Sequence, residues 1–476
     1  MLFNSTEFLV FFVVVFALYW ALPFQRLKVI LLLIASYWFY MSWNAKLAAV
    51  VAGSSLIDYF LARTLERSAE KRRRKPFLVA SIVMNLGLLV YFKYSNFFIQ
   101  SMAALLRAMG LNAHVAMLQI VLPIGISFYT FEAISYMVDV YMERTRAEKN
   151  PIHFLLFITF FPRMVAGPII RARNFLPQLK REKRFDAARF DLGLQFVIMG
   201  LFKKMAIADR LAGLVDPVYD NPGDFSSAGT WVAVLAYSLQ IYCDFSGYSD
   251  IAIGTAHMLG FKLPENFNMP YLSKNVAEFW RRWHISLSTW LRDYVFISLG
   301  GSRGTEIMTA VTLMTTMSLC GLWHGAKWTF VAWGVAQGLL MIAHRAFRLF
   351  CKRHAAWNSW LETVPGGALR MAITFMATTL SWVIFRSQDF AKAGAVFHAL
   401  FLPQDGMMIR HPIGPWSLIF AYALVAVSHI AAETDMWKKM SSALNPFARG
   451  LAYATVLVMI LLMAPNTAKP FIYFQF

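Results

Sequence analysis

Apolar runs long enough to approach or cross a membrane follow one another along the chain: 6–22, 27–43, 45–62, 77–99, 115–140, 190–208, 230–254, 305–322, 327–343, 368–386, 415–432 and 451–465. A hydrocarbon core of about 30 Å is crossed by roughly 20 mostly apolar helical residues. No long polar stretch separates the runs, and neither a solenoid-period repeat nor an inverted half-repeat is evident. The pattern predicts an all-α polytopic membrane protein, one integral membrane domain over 1–476 with about 11–12 transmembrane helices.

Short basic clusters between the runs orient them. Arg63, Arg67, the run 71–75, the stretches 144–149 and 171–189, Arg281 with Arg282, the stretch 345–353, and Lys438 and Lys439 with Arg449 belong on the cytoplasmic side. Counting back three spans from the first cluster places the N-terminus outside. The 209–229 loop, with Asp209, Asp216, Asp220 and Asp224, suits an outer face. Residues 141–150 and 171–189 are both basic, so the apolar segment 152–166 between them does not cross. It is short and broken around Pro162, Gly167 and Pro168, which predicts a re-entrant or interfacial element. The same parity makes 305–343 a hairpin whose turn is 320–325, Cys-Gly-Leu-Trp-His-Gly.

Composition agrees with this layout. Hydrophobic residues make up 58% and charged residues 15%, against about 25% charged in soluble chains. An ordinary cytosolic enzyme and a disordered chain are both excluded. The 42 Phe, 18 Tyr and 15 Trp have membrane interfaces on which to sit. A net charge of +19 in a soluble protein would suggest nucleic acid. Here the charge lies in the loops, so lipid is the expected partner and nucleic acid is not. Three widely spaced cysteines offer neither a disulfide framework nor a metal site. Residues 1–22 lack a basic leader and a small-residue cleavage site, and read as a retained span.

Four places can carry chemistry. His324, at the hairpin apex between Gly321 and Gly325, is an ionisable ring in an expensive position. It can take and return a proton, and the glycines would let a substrate approach. The competing account is a hydrogen-bonded core histidine packed by Trp323 and Trp328. His284 lies in 278–294, where Phe279, Trp283, Leu287, Trp290 and Tyr294 share one helical face and Arg281, Ser288 and Arg292 another. That predicts an amphipathic interfacial helix, whose Arg281, Arg282 and Arg292 meet either donor phosphates or lipid headgroups. Asp244 and Asp250, near the end of the 230–254 run, either pair with those arginines or orient a catalytic histidine. Cys320 precedes His324 by four residues, but Gly321 and the turn argue against a continuous helix and a Cys–His nucleophile.

The motifs YCDFSGYSDIAIG at 242–254, PENFNMPY at 264–271, EFWRRWHISLSTWLRDY at 278–294 and GLWHGAKWTF at 321–330 resemble the membrane-bound O-acyltransferase family. The opening MLFNSTEFLVFF, the 122–141 stretch and the closing FIYFQF extend the resemblance over nearly the whole chain. It is most similar to members that O-acetylate exported polysaccharides such as alginate, and more distantly to those that D-alanylate teichoic acid. The resemblance implies a ring of helices, with re-entrant or interfacial elements, around a central tunnel. The catalytic core would lie in 141–350, between N-terminal helices in 1–140 and C-terminal helices in 351–476.

The resemblance implies catalytic roles for His324 and His284; the residue chemistry sets Arg281, Arg282, Trp283 and Arg292 as candidates at the donor and Asp244, Asp250 and Trp323 in support. The donor would be a cytoplasmic thioester, acetyl-CoA or an acyl carrier. The acceptor would be an exopolysaccharide, or a periplasmic acetyltransferase partner, outside the bacterial inner membrane. His324 would either deprotonate the accepting hydroxyl or hold the acetyl group transiently. The thioester supplies the driving force, so no metal and no bound cofactor is implied. A proton-coupled transporter and a passive assembly platform are the competing function classes.

Overall fold

In the computed structural model, residues 1–68, 70–111, 115–165, 167–408, 416–434, 436–464 and 471–472 are described. Helices dominate these residues, and extended pairing is limited to a single bridge between Phe225 and Met407. Among the described residues, six helices are long and apolar enough to cross a membrane: Ala45–Arg67, Lys71–Ala108, Glu306–His324, Trp328–Arg353, Val364–Arg386 and Pro446–Met463. The all-helical membrane class expected from the pattern is what the structure has. The chain divides into two compact units, one of residues 1–197 and 251–264, the other of 198–250 and 265–476.

In the first unit, local signals start the helices. Ser5 accepts from Phe8 N, and Asn44 accepts from Lys46 N and Leu47 N, each satisfying an amide that a helix start leaves unpaired. Ala45–Arg67 buries Leu47, Ala48, Val51, Ser54, Ser55, Asp58, Tyr59, Ala62 and Leu65 at helical spacing, and turns Ile57 and Phe60 outward. Its buried Asp58 is matched by Ser81 and by Asn85 Nδ2 at 2.8 Å.

The run at 115–140 is not one helix. Only Ile126–Tyr141 is helical, because Pro123 and the left-handed Gly125 (φ 71°) interrupt what precedes it. A β-carbon at Gly125 would press on the Met164 carbonyl oxygen, so the turn requires glycine. The 152–166 segment is two short helices, Pro151–Thr159 and Phe161–Met164. Nine residues rise only about 14 Å. The break between them is buried: Phe161 N donates to Ser36 Oγ at 3.1 Å, and Glu132 is bonded to Arg163 and to Ile170 N. Protein therefore covers the irregular backbone, as an apolar setting demands.

The second unit corrects two expectations. Residues 209–229 are not a loop: helix Asp209–Asp220 follows directly on Ala187–Leu201 and a wide turn, Phe202–Ala208. Asp209 and Asp216 are held there by Lys204 and Arg386. The 305–343 hairpin exists, as Glu306–His324 packed along Trp328–Arg353, with Arg345 donating to Glu306 at its feet. Its turn, however, is 325–327, because the first arm runs without a break through Gly321 to His324. Of the closing FIYFQF, only Phe471 and Ile472 lie within the described residues, as does Lys439 but not the Lys438 side chain.

Candidate active site

His324 is the last residue of the first hairpin arm and is 5% exposed. Its ring lies 4.9 Å from Trp323, 5.1 Å from Trp333 and 5.3 Å from Phe385, each edge to face. The flanking glycines serve packing rather than substrate access. A β-carbon on Gly321 would overlap the Phe330 carbonyl oxygen, and one on Gly325 would overlap the Phe330 ring. Because the helix is continuous, Cys320 and His324 stand one turn apart on one face, contrary to the expected break. Cys320 is fully buried.

His284 is fully buried in the second unit, but not on a continuous helix. The expected amphipathic helix over 278–294 is two short helices, Val276–Arg282 and Ile285–Leu291, followed by a wide turn, Arg292–Phe296. His284 occupies the break in a left-handed conformation, φ 43° and ψ 54°. Such a conformation costs a non-glycine residue about 1–3 kcal/mol and persists only where the surroundings impose it.

The 266–268 segment imposes it. Ile285 N donates to Asn266 O at 2.9 Å, Asn268 N donates to Arg282 O at 2.9 Å, and Ser286 N donates to Asn266 Oδ1 at 3.3 Å. These bonds satisfy backbone groups that the helix break leaves over. The His284 ring stands edge to face with Phe245 at 4.6 Å and lies 5.9 Å from Trp323. Both histidines thus pack on the Trp323 indole. Burial pushes the His284 pKa down to about 3, so the ring is neutral at ordinary pH.

The supporting residues pair differently from either sequence alternative. Asp244 and Asp250 meet lysines, not arginines and not a histidine. Lys203 donates to Asp250 at 2.7 Å; Lys204 donates to Asp244 at 2.6 Å and lies 2.7 Å from Asp209. Ile472 N also donates to Asp244, at 2.8 Å. Lys203 and Lys204 sit inside an apolar run and were legible there as costly charges, yet the sequence reading passed over them.

Of the expected donor residues, Arg282 is matched by Glu278 at 3.1 Å and Glu433 at 3.2 Å. Arg292 is exposed beside Asp293, and Arg281 is exposed. Trp283 is enclosed: its ring stacks on Phe279 at 5.4 Å and meets Trp382 at 5.2 Å and Phe267 at 5.0 Å. These four side chains do not converge on His284. A further residue that sequence reasoning missed is Asn266, within the PENFNMPY motif. Among the described residues, no group of His, Cys, Asp and Glu is arranged to hold a metal ion.

The family model described as MBOAT, membrane-bound O-acyltransferase family, matches residues 143–385, a stretch that contains Lys203, Lys204, Asp244, Asp250, Asn266, His284 and His324. The probable alginate O-acetylase of Pseudomonas syringae pv. tomato is 40% identical over 84% of this chain and 75% of its own length. That of Azotobacter vinelandii is 36% identical over the full length of both. The peptidoglycan O-acetyltransferase of Helicobacter pylori is 35% identical over 80% of this chain and 75% of its own.

Proposed function

The chain belongs to the membrane-bound O-acyltransferase family, and on that premise we propose that it moves an acetyl group from cytoplasmic acetyl-CoA through the inner membrane to a hydroxyl of an exported polysaccharide. That it is a multi-pass membrane acyltransferase, rather than a carrier or a passive platform, follows from the family and its relatives. Relatives named for alginate and for peptidoglycan support a glycan as the final acceptor, reached directly or through a periplasmic transferase. The predicted placement of the N-terminus in the periplasm belongs to the same reading.

One observation carries the mechanism: two buried imidazoles, His324 and His284, pack on the single indole of Trp323 at 4.9 and 5.9 Å. His324 acts as general base. The acceptor oxygen attacks the thioester carbonyl carbon while its proton passes to the His324 ring. The tetrahedral intermediate then collapses, the C–S bond breaks, and the departing thiolate recovers that proton. An ester and a free thiol result, with no net change in protonation of the enzyme. The carbonyl end of the Glu306–His324 helix favours the transient positive charge on the ring. Enclosure by Trp323, Trp333 and Phe385 keeps water from competing for the thioester.

The purified protein in liposomes, given acetyl-CoA labelled in its acetyl group and an alginate oligosaccharide or its periplasmic transferase, tests this reading. Release of free CoA with label on the acceptor is expected. Movement of either substrate without thioester cleavage contradicts it.

A further inference from the structure

The Asn266 carboxamide can be oriented without ambiguity. Its Oδ1 faces Ser286 N, a backbone N–H that can only donate, and also takes the Ser286 hydroxyl at 2.9 Å. The other end, Nδ2, donates to Ser249 Oγ at 3.1 Å. A flipped amide would set two N–H groups against one another, so the oxygen faces Ser286 N. The same oxygen lies 3.1 Å from His284 Nδ1. An oxygen facing a ring nitrogen at that distance makes the nitrogen a donor, so Nδ1 carries the proton. In a neutral imidazole the lone pair then sits on Nε2. Among the described residues, nothing bonds to that buried Nε2.

A buried acceptor without a partner is costly, and the His284 backbone is held in a left-handed conformation by this same asparagine. Asn266 thus fixes two things at once, the position of the ring and the nitrogen that is free to accept a proton.

We propose that Asn266 is a positioning residue for the acyl transfer, holding His284 as the Nδ1–H tautomer so that its Nε2 lone pair receives a hydrogen bond from an O–H or N–H group of the bound substrate. This rests on the reading that His284 belongs to the reacting site. The role differs from a metal-ligand histidine's, but the logic of an outer partner choosing the tautomer is the same.

The test compares Asn266→Ala, Asn266→Asp and His284→Ala in lipid-embedded protein, by acetyl-CoA-dependent label transfer and by solid-state NMR of nitrogen-15 histidine. The His284→Ala spectrum assigns the resonances. We expect wild type to show protonated Nδ1 and bare Nε2 at His284, and Asn266→Ala to lose that signature and about 10- to 100-fold in rate. Asn266→Asp, which keeps an acceptor at Oδ1, should keep the tautomer and recover most of the rate. In a His284→Ala background, Asn266→Ala should cost nothing further.

A proton on Nε2 in the wild type, a wild-type rate for Asn266→Ala, or a full additional loss in the His284→Ala background would each overturn the proposal. If Asn266→Ala fails to fold, the wild-type spectrum and Asn266→Asp still decide it. A wild-type rate for His284→Ala would instead remove His284 from the chemistry, a separate failure from loss at His284 with none at Asn266.

Discussion

Gly321 and Gly334 meet backbone to backbone where the two arms of the hairpin pack: a β-carbon built on Gly321 would lie 3.0 Å from Gly334 Cα, and one on Gly334 would lie 3.1 Å from Gly321 Cα. Small residues at such a crossing let helices approach closely in lipid, where packing rather than water drives association. This contact sets the height of His324, which lies three residues beyond Gly321 on the same helix.

Adding a methyl group at that contact should therefore loosen the arm that carries His324. Gly321→Ala is expected to destabilise the protein by about 1–3 kcal/mol, the usual range for overpacking a filled core. Gly213→Ala is the control. It lies inside the Asp209–Asp220 helix with no atom within 4 Å of the new carbon, and should be neutral or stabilising by up to about 1 kcal/mol. Thermal unfolding of the two variants in one detergent compares them directly.

Lys204 is 1% exposed and lies within bonding distance of both Asp244 and Asp209. Lys204→Met leaves two buried carboxylates without their shared cation, and breaking such a group costs about 3–5 kcal/mol. The expected outcome is a sharp fall in folded protein recovered from membranes. Adding Asp244→Asn to Lys204→Met should restore part of it. No recovery in the double variant would show that the charges are not what holds this region together.

The difference between what was legible and what was not follows from the range of the interactions. The hairpin and His324 could be read because apolar length, flanking charge and a buried ionisable residue are local signals. So could the break within 152–166, from the prolines and glycine around it. The helix break at His284 could not. Its side-chain spacing fits a continuous amphipathic helix, and the bonds that open it come from Asn266, eighteen positions earlier and on another segment. The partners of Asp244 and Asp250 were misread for a related reason. The arginines of the 278–294 motif are the prominent cations after them in sequence, whereas Lys203 and Lys204 lie forty or more positions before the aspartates they hold. The Pro123–Gly125 break was written in the sequence, and the apolar run across it masked the signal.

The proposed route also requires the hairpin apex to face out. Arg345 bonded to Glu306 marks the feet, and the 325–327 turn marks the apex. On the proposed reading the basic flanks place the feet in the cytoplasm. Single cysteines at Ala326 and Thr305, in a background without Cys243, Cys320 and Cys351, should differ in reaction with a membrane-impermeant thiol reagent added outside. Labelling is expected at Ala326 and not at Thr305. The opposite pattern would invert the hairpin and defeat transfer from the cytoplasmic to the outer side.

The most direct measurement of the central claim is the rate at which labelled acetyl passes from acetyl-CoA to the acceptor with His324→Ala beside wild type, at equal amounts of folded protein in liposomes. A general base is worth about 10²–10⁴ in rate, so the variant should fall by at least a hundredfold while its thermal unfolding stays close to wild type. A variant that unfolds normally and still transfers acetyl at the wild-type rate would contradict the assignment of His324 as the base.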